Sequence, residues 1–288
     1  MLKFYWIDLE FKGKIKPKSA VYVEIFIDNH TYYLQVDTGS FASFFYLNKL
    51  QKFKLFESEI QIAASKFFNY TSFTGFQKVL NPVIQFDNNF KKQIKFIISE
   101  ENDGNIDVQS NLKQVDSNLI GILGNNFFKD FNIVNIDYVN LCFTFDELPS
   151  KYSLIEKVSL NSFSNIVLLD LKFETNTFKA VFDTAASNLT IFSYRFLEQN
   201  ISNFLLLECE REEIFRPETT LFINKISKPI SLMIGNFALK LNDFYFFDKQ
   251  FNDEVFRNYD FDCVIGNELF NNYCVSINYS ANEFSLYQ

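Results

Sequence analysis

Asp37-Thr38-Gly39-Ser40 and Asp183-Thr184-Ala185-Ala186-Ser187 are two Asp-Thr turns in one chain, each entered from an apolar strand. Each is answered downstream by an apolar-apolar-Gly segment, Ile122-Leu123-Gly124 and Val264-Ile265-Gly266. A matched pair in matched order indicates a duplicated fold that brings two carboxylates together. Carboxylates in contact do not both ionise readily, so one keeps a proton while the other carries the charge. An acid and a base in one site are sufficient to drive water onto an amide.

The duplication extends beyond the turns. Asp37 and Asp183 are 146 positions apart and Gly124 and Gly266 are 142 apart, so the halves share one internal layout with a small deletion. After each glycine the text recurs: Asn125-Asn126-Phe127-Phe128-Lys129-Asp130-Phe131 is answered by Asn267-Glu268-Leu269-Phe270-Asn271-Asn272-Tyr273. Ile136-Asp137-Tyr138 is then answered by Ile277-Asn278-Tyr279, with a short closing strand after each. Self-similarity on this scale determines the architecture before any single residue is read.

Alternating apolar and polar residues predict strands over 6–11, 21–27, 32–36 and 43–46, with Asp28-Asn29-His30 as a turn and a short helix over 47–53. The second half repeats the order with strands over 167–174, 178–182 and 189–192 and a helix over 194–200. Phe127, Phe128 and Phe131, like Leu269, Phe270 and Tyr273, have the spacing of one helical face. The class is therefore all-β with short helices. The 288 residues divide into units of 1–150 and 151–288, and 151–162, poor in Gly and Pro, predicts packed rather than tethered units.

Composition narrows the function classes. A net charge of −8 leaves nothing to neutralise a row of phosphates, so a nucleic-acid partner is not expected. The basic cluster at 12–18 reads as a solvated loop, and the 38 Phe read as core residues. No apolar run reaches the ~18 residues of a membrane span. With no signal-peptide core at its start, the chain is expected in the cytoplasm unless a leader has been removed. The four Cys have no C-x-x-C spacing and read as reduced, buried thiols; with His30 the only histidine, no metal site is expected. A single imidazole also leaves no Ser-His-Asp arrangement to pursue. Asp103-Gly104-Asn105-Ile106-Asp107 starts like a calcium loop but lacks its Gly and closing Glu, so it reads as a turn.

At these residues the chain resembles the aspartic peptidases of the pepsin/retropepsin superfamily, whose catalytic signature is the Asp-Thr-Gly-Ser at Asp37. The resemblance covers nearly the whole chain. It implies a bilobal pepsin-like (acid-protease) fold, two related β-barrel lobes with the active-site cleft between them, working as a monomer without metal or cofactor. The shared-proton dyad belongs to that resemblance too. It assigns Asp37 and Asp183 as the catalytic pair and Thr38 and Thr184 as the buried hydroxyls that tie the turns together. It gives Gly39 and Ala185 the role of backbone N–H donors and directs the Ser40 hydroxyl at Asp37. The segment 70–75 resembles the flap that closes over a peptide or protein substrate, with Tyr70, Thr74 and Gly75 as its contacts; the alternative is an ordinary hairpin.

Three departures stand out. Ala185 replaces the motif glycine, which raises the question of a positive φ. Ala186 lacks the hydroxyl that Ser40 has, so Asp183 is the expected proton holder. Phe41 stands where Ser or Thr is usual. Ala185 and Phe41 leave a non-catalytic peptide-binding module as the rival to an endopeptidase, since a fold does not guarantee its chemistry. A purely structural duplicated β protein gives no reason for two polar Asp-Thr turns.

Overall fold

In the computed structural model, which describes residues 1–11, 14–56, 58–64, 76–100, 109–110, 118–163, 166–186, 189–201, 207–215, 220–248, 256 and 261–288, each Asp turn is fed by a hairpin. Asp28 and Asn29 take φ of 49° and 63°, the left-handed region that these side chains tolerate and that a tight hairpin requires. The strand Lys14–Ile27 thereby reverses into His30–Val36, which runs straight into Asp37. In the second half Ile166–Phe173 reverses into Asn176–Phe182 and delivers Asp183, with Glu174 at φ 54°.

The two apolar-Gly strands are inserted in the same way. Leu119–Leu123 lies between His30–Val36, to which it is parallel, and Ser43–Tyr46, to which it is antiparallel. Cys263–Ile265 lies between Asn176–Phe182, again parallel, and Thr190–Phe192, again antiparallel. A further strand adds in parallel to the third of each set, Phe96–Ser99 in one half and Phe237–Phe247 in the other. Parallel neighbours need a long crossover, and the chain after each Asp turn supplies it.

The chain is mostly β, and its described residues form two large sheets, of eleven and thirteen strands. The sheets do not separate where the repeat does. Leu2–Lys3, Ile133–Asp137 and Cys142–Phe145, all from the first half, join the sheet of the second. Ile133–Asp137 pairs antiparallel with Cys274–Asn278, with Asn135 opposite Ser276. Those two residues correspond in the repeat, so its approximate two-fold axis passes between them. The crossing expected over 151–162 is itself a strand, Leu154–Phe163, paired with Glu283–Tyr287 and with Ile166–Phe173.

One hydrophobic cluster runs through both halves, from Phe45 and Phe96 through Ile136 and Ile277 to Phe182 and Phe284. Phenylalanine fills it: Phe127 meets Phe86, Phe128 and Phe131 at ring separations of 5.0–5.4 Å. The predicted helices over 47–53 and 194–200 form at those bounds. Those after the glycines are shorter, Asn125–Phe128 and a 3₁₀ turn Asn267–Phe270. Phe131 leaves the helix and stacks on Phe145 at 4.1 Å instead. All four cysteines are free; three are buried, but Cys209, set between two glutamates, is exposed, contrary to the expectation from composition. Among the described residues no helix is long and apolar enough to cross a membrane.

Candidate active site

The two Asp turns meet through their threonines. The Thr38 N–H donates to Thr184 Oγ1 at 3.0 Å, and the Thr184 N–H donates to Thr38 Oγ1 at 2.9 Å. Each hydroxyl then donates across the seam, Thr38 Oγ1 to the Phe182 carbonyl at 2.9 Å and Thr184 Oγ1 to the Val36 carbonyl at 3.0 Å. Both threonines are at most 1% exposed, so these four bonds replace water that cannot reach them. The seam requires a side chain that accepts and donates at once, as a hydroxyl does.

Above the seam Asp37 and Asp183 are half-buried, and their carboxyl groups hydrogen-bond each other. Their backbones are anchored alike, the Asp37 N–H on the Leu123 carbonyl (3.0 Å) and the Asp183 N–H on the Ile265 carbonyl (2.9 Å). Both acids are pushed above the ordinary carboxylate range, Asp37 the further. Burial is the main cause for each, and for Asp37 the charge of Asp183 comes next. Backbone donors draw both acidities back toward the ordinary range. Asp183 is met by the N–H groups of Ala185, Ala186 and Gly39, and Ala185 N lies 2.8 Å from its Oδ1. Asp37 is met by only those of Ser40 and Gly39.

Two acids that are raised together and in contact titrate as a pair, holding one proton between them over the intervening pH range. The hydroxyl expected to face Asp37 is used elsewhere. The Ser40 hydroxyl donates to the Ala42 carbonyl at 2.8 Å, within its own turn. Ala185 has no positive φ; it sits in a 3₁₀ turn, Thr184–Ala186, and keeps the N–H that Gly would have offered. Phe41 packs edge-on against Phe44 in a small cluster with Ala42 and Ile97.

Glycine is required at 39 for space. A Cβ there would lie 2.5 Å from Asp183 Cγ. Gly39→Ala is accordingly expected to lose about 1–3 kcal/mol of stability by overpacking and to displace the Asp183 carboxylate. Chemical denaturation checks the first effect. Gly124 is as tightly placed, its missing Cβ 2.2 Å from the Ala42 carbonyl oxygen. That contact packs the apolar-Gly strand against the loop that carries the first Asp.

Two asparagines and two tyrosines behind the turns were not among the expected site residues. Asn125 and Asn267, both fully buried, donate from Nδ2 to the carbonyls of Thr38 and Thr184, the latter at 2.7 Å. Tyr279 and Tyr138 donate in turn to their Oδ1 atoms. Their sequence signal is the recurring Asn after each Gly and the recurring Tyr after each Ile-Asp/Asn, the same residues that mark the duplication. Tyr70, Thr74, Gly75, Ser187, Asn188 and the segment 103–107 lie outside the described residues. His30 is exposed at the first hairpin turn. Among the described residues no group of three or more His, Cys, Asp or Glu side chains could hold a metal ion. No protein-family model matches the chain, and neither does any curated protein.

The raised acidities bear on stability. The folded chain holds protons that the unfolded chain releases at lower pH, so it is relatively most stable below the ordinary carboxylate range. That contribution is lost as pH rises through the raised folded values. Asp37→Asn removes the burden, and is expected to raise the thermal midpoint at pH 7 while leaving it nearly unchanged at pH 3.

Proposed function

We propose that the chain is an aspartic endopeptidase, hydrolysing peptide bonds with water activated by Asp37 and Asp183. The observation that carries this reading is the reciprocal Thr38–Thr184 seam, because it couples two repeated units so that their carboxyl groups touch. Ionised Asp183 takes a proton from water as its oxygen attacks the scissile carbonyl, and Asp37 gives its own proton to the carbonyl oxygen. When the tetrahedral adduct collapses, Asp183 passes its proton to the leaving nitrogen. Asp37 recovers one from the adduct hydroxyl, so the pair returns to its starting state. Neither metal nor cofactor takes part.

The reading includes a bilobal pepsin-like arrangement with units 1–150 and 151–288 and an extended peptide in the cleft between them. Both acids come from one chain, which acts as a monomer. The reading extends to a specific precursor as the substrate.

The test is cleavage of a diverse peptide mixture, read by mass spectrometry from about pH 3.5 to 7.5, with wild type beside Asp37→Asn. Cuts made by wild type alone support the reading, and their flanking residues reveal the specificity. Cuts that persist in Asp37→Asn sink it. Peptide binding by both proteins with no cuts by either would turn the assignment to a binding module.

A further inference from the structure

Two buried asparagines and two tyrosines form a crossed pair of chains behind the acids. In one, Tyr138 OH donates to Asn267 Oδ1 at 2.6 Å and Asn267 Nδ2 donates to the Thr184 carbonyl at 2.7 Å. In the other, Tyr279 OH donates to Asn125 Oδ1 at 3.3 Å and Asn125 Nδ2 donates to the Thr38 carbonyl. Each Asp turn is thus held through an asparagine of its own half by a tyrosine of the other half. The backbone repeats the exchange. The Tyr138 N–H donates to the Tyr273 carbonyl (3.3 Å) and the Tyr279 N–H to the Asn132 carbonyl (2.8 Å), fixing both tyrosines at the ends of the shared strand pair.

The peptide units that these chains grip are Thr38–Gly39 and Thr184–Ala185. In a trans peptide the C=O and the next N–H point in opposite directions, so fixing one aims the other. Asn267 pulls the Thr184 carbonyl back, and the Ala185 N–H on the far side lies 2.8 Å from Asp183 Oδ1. Asn125 does the same for Gly39, whose N–H faces both acids. The tyrosine hydroxyl dictates which end of each amide accepts, leaving Nδ2 for the carbonyl. A carbonyl that accepts a hydrogen bond also polarises its own N–H, so successive donors strengthen one another.

We propose that Tyr138–Asn267 and Tyr279–Asn125 are positioning relays that aim and polarise the Ala185 and Gly39 N–H groups, setting the acidity of the carboxyl pair from behind. The inference rests on the endopeptidase reading for its catalytic consequence but not for its effect on the acids. The titratable groups facing the pair are the two acids themselves, Tyr46 beside Asp37 and Tyr138 on the side of Asp183. Both hydroxyls are held protonated, by burial first and then by the neighbouring carboxylate. The relay therefore acts through its dipoles and carries no charge.

The experiment is a carbon-13 carboxyl titration of Asp37 and Asp183 in the full chain, comparing wild type with Tyr138→Phe and Tyr279→Phe. Phe at 138 keeps the ring stacked on Trp6 (5.8 Å) and set edge-on to Phe4 (6.0 Å). The pair's titration is expected to move upward by about half a pH unit in Tyr138→Phe. A smaller shift is expected in Tyr279→Phe, whose bond is longer. In parallel, kcat should fall ~10-fold with KM nearly unchanged. A core variant of matched thermal midpoint, Val275→Ala, should leave the titration where it was. Unmoved acids in the folded tyrosine variants, or an equal shift in Val275→Ala, would overturn the relay. Should Tyr138→Phe not fold, Tyr279→Phe decides alone. If wild type cleaves nothing yet the acids shift, the peptidase reading fails and the relay stands.

Discussion

Asp183→Asn is expected to lower kcat by about 10³–10⁴-fold with a folded chain, since it removes the base while retaining the shape. The direction follows from the donors around the acid. The N–H groups of Ala185, Ala186 and Gly39 are disposed to stabilise an anion at Asp183 and would face an amide oxygen in the variant. Asn also cannot accept the proton of an attacking water. Asp37→Asn should be as inactive for the complementary reason, because it offers an N–H to Asp183 but no transferable proton. Steady-state assays on a peptide identified as a substrate measure both. The wild-type pH profile of kcat/KM carries the same information. Its rising limb reports ionisation of the pair to one charge, and its falling limb reports loss of the pair's remaining proton. That second ionisation lies well above the ordinary carboxylate range because of burial and the charge of Asp183. Activity is therefore expected to extend further toward neutral pH than two independent carboxylates would permit. A variant at either position that kept wild-type turnover would remove the basis of the assignment.

Thr184→Val is expected to destabilise the fold by ~3 kcal/mol, since it leaves two buried polar groups unpaired. Val has nearly the same shape, so the loss isolates the hydroxyl. Without it the Thr38 N–H loses its acceptor and the Val36 carbonyl loses its donor, and both are sealed from water. Thr38→Val orphans the Thr184 N–H and the Phe182 carbonyl in the same manner. Against a total stability of about 5–15 kcal/mol, either change is a large fraction. The double variant should cost less than the sum, because the first substitution already lets the turns part and the second then breaks a relaxed contact. Urea denaturation with an unchanged slope is the measurement, and wild-type midpoints in both single variants would show the seam to be incidental. Activity should fall as well, since a displacement of about 1 Å at a reacting group is worth roughly 10²-fold.

Much of the fold was legible because the chain states it twice. The hairpins into Asp37 and Asp183 and the short helices after Tyr46 and Ser193 follow from alternation, turn residues and spacing. The membership of the sheets was less legible. Leu2–Lys3, Ile133–Asp137 and Cys142–Phe145 are unremarkable amphipathic segments by themselves, and only strand pairing assigns them to the second sheet. The donors around the two acids were not legible for a related reason. Motif comparison weighs side chains, and the groups that distinguish Asp37 from Asp183 are backbone N–H groups that every residue except proline carries.

The order of letters by itself determined the duplication, the β class and the two acids, because these depend on local pattern and on residue identity at fixed offsets. Which threonine oxygen meets which amide and which tyrosine backs which asparagine were decided only when the halves came together. Those contacts join residues more than 120 positions apart, and a hydrogen bond has direction and reach that no linear spacing encodes.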